Sequence, residues 1–166
     1  SGADAPQTDD FLLAATNVVR LAIDSCGFTG SKGGGLRLEG VSGRITGNHF
    51  SDISSSALFA RNSRGLEISG NSLFDIGNNG IQVWTSVPAE DGTIVSNNRI
   101  ARVAATDGGT GQNGNGINVY KAGNVLVAGN RISDCAFSAI RNNAGSNCQI
   151  VNNSISRTGE VAIYCE

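Results

Sequence analysis

The side chains with chemistry to offer fall into two sets. Trp84, Tyr120, Gln82, Asn118, Arg61 and Arg141 combine aromatic surface with amide and guanidinium groups. That mixture suits a sugar, whose CH faces lie against rings while its hydroxyls bond to polar side chains. Asp91 and Asp107, with Glu90, are the carboxylates that would have to act if a glycan were also cut. Hydrolysis needs two carboxyl groups roughly 5–9.5 Å apart across the glycosidic bond, and nothing in the spacing here fixes such a pair. β-Elimination needs a base and charge neutralisation at a uronate. Arg141, Tyr120 and Lys121 are the candidates for those roles, with Asp91 or Asp107 holding a cation. Calcium sites draw on several oxygen ligands together, whereas the acidic residues here are scattered, and no Cys/His spacing reads as zinc. No metal or cofactor is therefore expected. The sole histidine, His49, reads as a solvated surface residue.

Those side chains need a scaffold, and the composition limits its kind. The 166 residues include 23 glycines and only 2 prolines, 16% are charged, and the net charge is −2. No basic stripe is present to neutralise phosphates, which argues against a nucleic-acid partner. No apolar run approaches the roughly 20 residues of a membrane span. Cys26, Cys135, Cys148 and Cys165 share no disulfide or metal spacing, and the expectation is four buried free thiols acting as small hydrophobes.

The organising feature is a repeat of about 22 to 23 residues. Asn48, Asn71, Asn98, Asn130 and Asn153 hold one register, with Cys26 in the same place at the start. Three positions earlier stand Ile23, Ile45, Ile68, Val95, Val127 and Ile150. Two positions later stand Phe28, Phe50, Leu73, Ile100, Ile132 and Ile155. Ten later come Leu36, Leu58, Ile81, Ile140 and Ile163, with Ile117 displaced. Within each copy apolar and polar residues alternate, the signature of strands. Such short strands cannot bury an apolar face alone; stacking successive copies in parallel at about 4.8 Å does so. The result is an all-β solenoid of about six coils over 17–166, preceded by a lead-in or cap at 1–16. The asparagines are expected to stack as a hydrogen-bonded ladder that sets the register. Asp52, Asp75 and Asp134 recur together and read as turn residues.

This pattern resembles the right-handed parallel β-helix proteins of the pectin-lyase-like superfamily, whose turn after the second strand carries such a ladder. The stretch from Asn115-Gly116-Ile117-Asn118-Val119 to Val127-Ala128-Gly129-Asn130-Arg131-Ile132 is similar to a bacterial twin-arginine-translocated repeat family of no established activity. The resemblance implies export to the periplasm or beyond, and a chain that is part of a longer protein.

Two places break the repeat. From Asn98 to Ile117 is 19 residues instead of 10, so nine are inserted within 104–115; about four are added within 85–92. Insertions in solenoids gather on the binding side. Between them the outward residues form two columns, Arg37, Phe59, Gln82, Asn118, Arg141, Tyr164 and Glu39, Arg61, Trp84, Tyr120, Asn143, Glu166. The leading expectation is an open face that recognises an extended polysaccharide or oligosaccharide. A lyase or hydrolase with its site between the two loops is the second reading, and a structural solenoid that self-associates end to end is the third.

Overall fold

The computed structural model describes residues 10–166. Among them are nineteen short strands and no helix, arranged in three parallel sheets. The first sheet has seven strands, Phe11–Thr16, Gly34–Glu39, Leu58–Arg61, Ile81–Glu90, Ile117–Gly123, Ile140–Asn143 and Ile163–Cys165. The second has six, Leu21–Asp24, Gly43–Thr46, Glu67–Ser69, Ile94–Ser96, Leu126–Ala128 and Gln149–Val151. The third also has six, Gly27–Ser31, His49–Ile53, Ser72–Ile76, Arg99–Val103, Arg131–Cys135 and Ser154–Thr158. The chain visits the three sheets in turn, so each coil stacks on the one before it.

Register follows from the inward side chains. Leu36, Leu58, Ile81, Ile117, Ile140 and Ile163 pair in one column. Ile117 thus regains its place despite the nine-residue insertion. In the second sheet Ile45, Ile68, Val95 and Val127 are fully buried, and Phe28 stacks on Phe50 at 4.7 Å in the third. Burying each such side chain contributes about 1.5–3 kcal/mol, and a one-residue slip would turn the whole column outward.

The lead-in differs from its expected place outside the register. Residues 1–9 lie outside the described ones, but Phe11–Thr16 is a strand of the first sheet, with Leu13 opposite Leu36 and Ala15 opposite Leu38. The run Phe11-Leu12-Leu13-Ala14-Ala15 is continuously apolar, which hides its period of two.

At the corner between the second and third sheets, asparagines stack coil on coil. Nδ2 of Asn48 donates to Oδ1 of Asn71 at 3.0 Å and to the carbonyl of Ile23 at 2.9 Å, and the backbone N–H of Asn48 donates to the same Oδ1 at 2.9 Å. The pattern continues through Asn98, Asn130 and Asn153. The tight backbone belongs to the preceding residue. Ser25, Gly47, Gly70, Asn97, Gly129 and Asn152 all have φ between 55 and 66°, a left-handed region open mainly to Gly and Asn.

A second positive-φ column lies within the third sheet. Asp52, Asp75, Arg102, Asp134 and Arg157 occupy it, so the aspartates sit inside strands rather than beyond them. Asp75 receives Arg102 at 2.6 and 2.8 Å, and Asp134 receives Arg157 at the same distances. Arg157 and the neighbouring Ser133 hydroxyl hold the Asp134 carboxyl down at about 2. The cysteines are all free, but only Cys135 is buried; Cys148 is half-buried, and Cys26 and Cys165 are exposed. Among the described residues Cys26 stands at the first rung, where its N–H donates to Asn48 Oδ1. Burial pushes the Cys135 thiol up to about 12.

Candidate functional site

The outer face of the first sheet carries the expected columns, and the strands set them in register. Gln82 pairs with Asn118 and Asn118 with Arg141; Arg61 pairs with Trp84 and Trp84 with Tyr120. The two columns have different surroundings.

The first column is covered. Gln82, Asn118 and Arg141 are only 2, 5 and 8% exposed, where an open face was expected. The reason is the insertion at 104–115, which folds back over them instead of standing at a rim. Nδ2 of Asn118 donates to the carbonyl of Gln112 at 3.3 Å. Gly111 lies so close above Arg141 that a Cβ there would collide with Nη1, and its φ of 115° suits glycine alone. Arg141 is further held by Glu166 and lies 4.8 Å from the Tyr164 ring centre. Gln82 accepts from the Ser56 hydroxyl at 2.9 Å. Asn118 fastens the loop and Arg141 lies beneath it, and none of the three side chains is offered to solvent.

The second column remains half-exposed. Trp84 and Tyr120 stack with ring centres 4.0 Å apart and planes 30° apart. Phe59 meets Trp84 edge-on at 6.2 Å, and the Lys121 ammonium lies 4.7 Å from the Tyr120 ring centre. One face of each ring therefore rests on the other, leaving edges and one wedge open. Arg61 reaches the Ser86 hydroxyl at 3.2 and 3.3 Å and Glu39 at 3.8 Å, tying the column to the insertion at 85–92. There the strand runs on to Glu90 through a bulge between Trp84 and Ala89.

Of the three carboxylates weighed for catalysis, Glu90 is exposed and accepts from Asn124 Nδ2, and neither Asp91 nor Asp107 stands free at this face. Asp91 is 4% exposed. Its Oδ1 accepts from the backbone N–H of Thr93 at 3.0 Å, a local turn, while Oδ2 is buried with no hydrogen-bond partner. Burial pushes its carboxyl above the ordinary range, against smaller lowering effects from Thr93 and Arg64. Asp107 is exposed and accepts from Asn78 Nδ2 at 2.6 Å while its own N–H donates to Asn78 Oδ1 at 3.0 Å. Among the described residues no group of three or more His, Cys, Asp or Glu stands close enough to hold a metal. His49 is exposed on the third sheet, 6.2 Å from the ring of Phe74.

The periodicity leaves out a second amide network, the one that makes the cover. Asn79, fully buried, accepts from the N–H and Nδ2 of Asn115 at 3.1 and 3.2 Å and donates to the carbonyl of Gln112 at 3.0 Å. Asn115 donates to the Gly111 carbonyl at 2.8 Å, and Asn113 to that of Gly108 at 3.1 Å. The signal in the chain is the pair Asn78-Asn79, which stands where the previous coil has Ser55-Ser56, followed by Gln112-Asn113-Gly114-Asn115 within the insertion.

With this architecture in view, the comparison with known proteins gives one family. The model described as a right handed beta helix region matches residues 12–106 and 34–166. The chain belongs to that right-handed β-helix family. No curated protein and no solved structure matches it.

Proposed function

We propose that this β-helix is an exported protein that recognises an extended polysaccharide along the outer face of its first sheet. The carrying observation is the half-exposed Trp84–Tyr120 stack, in the column that the insertion at 104–115 leaves uncovered. Exposed aromatic area grouped in one place marks a contact surface. Because the ring faces are engaged with each other and with Lys121, a glycan along the column meets ring edges and the wedge between them. Arg61, Lys121 and Asn143 lie alongside as donors, and the two cations favour a glycan carrying uronate or another acidic group. The covered Gln82, Asn118 and Arg141 do not contact the glycan directly, and Asn118 acts through the loop it holds. Export rests on the resemblance of 115–132 to translocated repeats, and fractionation of cells carrying the complete gene would test it.

The direct test is a glycan array spanning acidic and neutral polysaccharides. Binding to one class that disappears in Trp84→Ala and Tyr120→Ala, with Phe74→Ala unaffected, supports the reading. Absence of binding to every glycan sinks it.

A further inference from the structure

We infer that the outer face of the third sheet carries an oxyanion site, centred on Arg99 and Arg131, that takes a sulfate or phosphate group. Arg99 and Arg131 are direct partners on neighbouring coils, so two guanidinium-bearing chains rise from the sheet about 4.8 Å apart. Like charges opposite each other in a sheet are destabilising. Elsewhere the protein answers such charges: Arg44, Arg102 and Arg157 each meet an aspartate. Among the described residues Arg99 and Arg131 have no ion pair and no side-chain hydrogen bond.

The surroundings complete a cradle. In register beside the two arginines, the next outward column runs Ala101, Ser133 and Ser156, small side chains that leave a groove of about 200 Å³. Ser154 closes the arginine column on the next coil and Phe74 stands at the other end of the small one. Arg157 lines the far wall with its fork on Asp134, and among the described residues no carboxylate lines the groove. Two guanidinium forks beside the Ser154 and Ser156 hydroxyls suit a tetrahedral oxyanion, which accepts from several directions at once. The groove faces away from the Trp84–Tyr120 column, so the inference stands independently of the glycan proposal.

The test follows the Arg99 and Arg131 Nε–Hε signals by NMR at constant ionic strength. Inorganic sulfate, inorganic phosphate and a sulfated oligosaccharide are titrated separately. The expected result is a saturable shift of both signals, abolished in the double variant Arg99→Gln/Arg131→Gln and kept in Arg44→Gln and Trp84→Ala. The double variant removes a repulsion and should fold, which its thermal midpoint checks. Affinity for the oligosaccharide about tenfold or more above that for inorganic sulfate identifies the group as glycan-borne, and equal affinities identify a free anion. No saturable shift with any of the three, or binding that survives in the double variant, overturns the inference. Because sulfate stabilises folded proteins in general, the site predicts a larger rise in midpoint for wild type than for the double variant, and equal rises overturn it.

Discussion

Asparagine does two jobs at two corners of this solenoid, and the contrast explains how the fold and the site relate. Between the second and third sheets, the asparagines from Asn48 to Asn153 repeat one hydrogen-bonding unit: the Oδ1 atoms of Asn71, Asn98, Asn130 and Asn153 each take two donors from the preceding coil, and that of Asn48 takes the Cys26 N–H. Ahead of the first sheet, Asn79, Asn113 and Asn115 form a network that does not recur among the described residues, and Asn78 holds Asp107 beside it. The ladder from Asn48 to Asn130 is buried and sets the register of the coils it joins. The other network pins one insertion, and thereby decides which part of the first sheet's outer face is open. The lesson is that shape here is a periodic property and the site is an aperiodic one.

Cutting the ladder should cost most. Asn71→Ala removes the acceptor for both the N–H and Nδ2 of Asn48 and leaves the Ile45 carbonyl without its side-chain donor. Buried groups left unpaired cost roughly 1–3 kcal/mol each. A loss of about 3 kcal/mol is expected, which lowers the melting midpoint by roughly 6–12 °C for a chain of this size. A midpoint within a degree of wild type would show that the ladder does not hold the register.

Cutting the second network should cost less and act locally. Asn79→Ala is expected to lose about 2 kcal/mol, since water can enter the insertion and partly replace the lost bonds. Hydrogen exchange should quicken in 107–113 while the second and third sheets keep their protection. Equal loosening of the asparagine ladder would erase the distinction between the two corners.

A smaller effect of opposite sign is expected at Asp91, beside the shorter insertion. Its folded-state pKa is raised by burial, so the folded protein binds the proton more tightly than the unfolded chain. Stability is therefore gained as pH falls through the raised value towards the unfolded one of about 3.9, and lost as pH rises. Asp91→Asn keeps the Oδ1 acceptor for Thr93 and removes the charge. It should stabilise at neutral pH, with the advantage fading in acid. Urea denaturation at several pH values reads this directly, and a variant less stable than wild type at neutral pH contradicts it.

The smallest effect is expected on the regular side. Asp134 titrates at about 2 because Arg157 donates to both its oxygens. Its folded value lies below the unfolded one. The stabilisation it brings is therefore present above about 3.9 and lost as pH falls towards 2. In Arg157→Gln the Asp134 carboxyl should return towards the ordinary aspartate range by NMR titration, with the fold intact. An unchanged titration would assign the lowering to other neighbours.

The same division governs what the chain discloses before its structure is known. Ile45, Ile68, Asn71 and Ile81 declare sheets, register and ladder because each has counterparts at a fixed interval. The strand Phe11–Thr16 is hidden because its apolar run does not alternate. Arg102 and Arg157 share the register of Asp75 and Asp134, yet their pairing shows only when Asp52, Asp75 and Asp134 are followed along with the arginines that interrupt them. The columns on the first sheet's outer face were legible, but their exposure was not. Covering Gln82, Asn118 and Arg141 depends on how Gly108, Gly109, Gly111 and Gly114 bend the insertion, all at positive φ, and no neighbouring coil offers a template for that bend.

Trp84 is the only tryptophan in the chain, so its fluorescence reports on the proposed glycan face and nothing else. Titration with the polysaccharide selected on the array should give a saturable change in Trp84 emission, with iodide quenching suppressed in the complex. Binding that leaves both emission and quenching unchanged would place the glycan elsewhere on the solenoid and contradict the account.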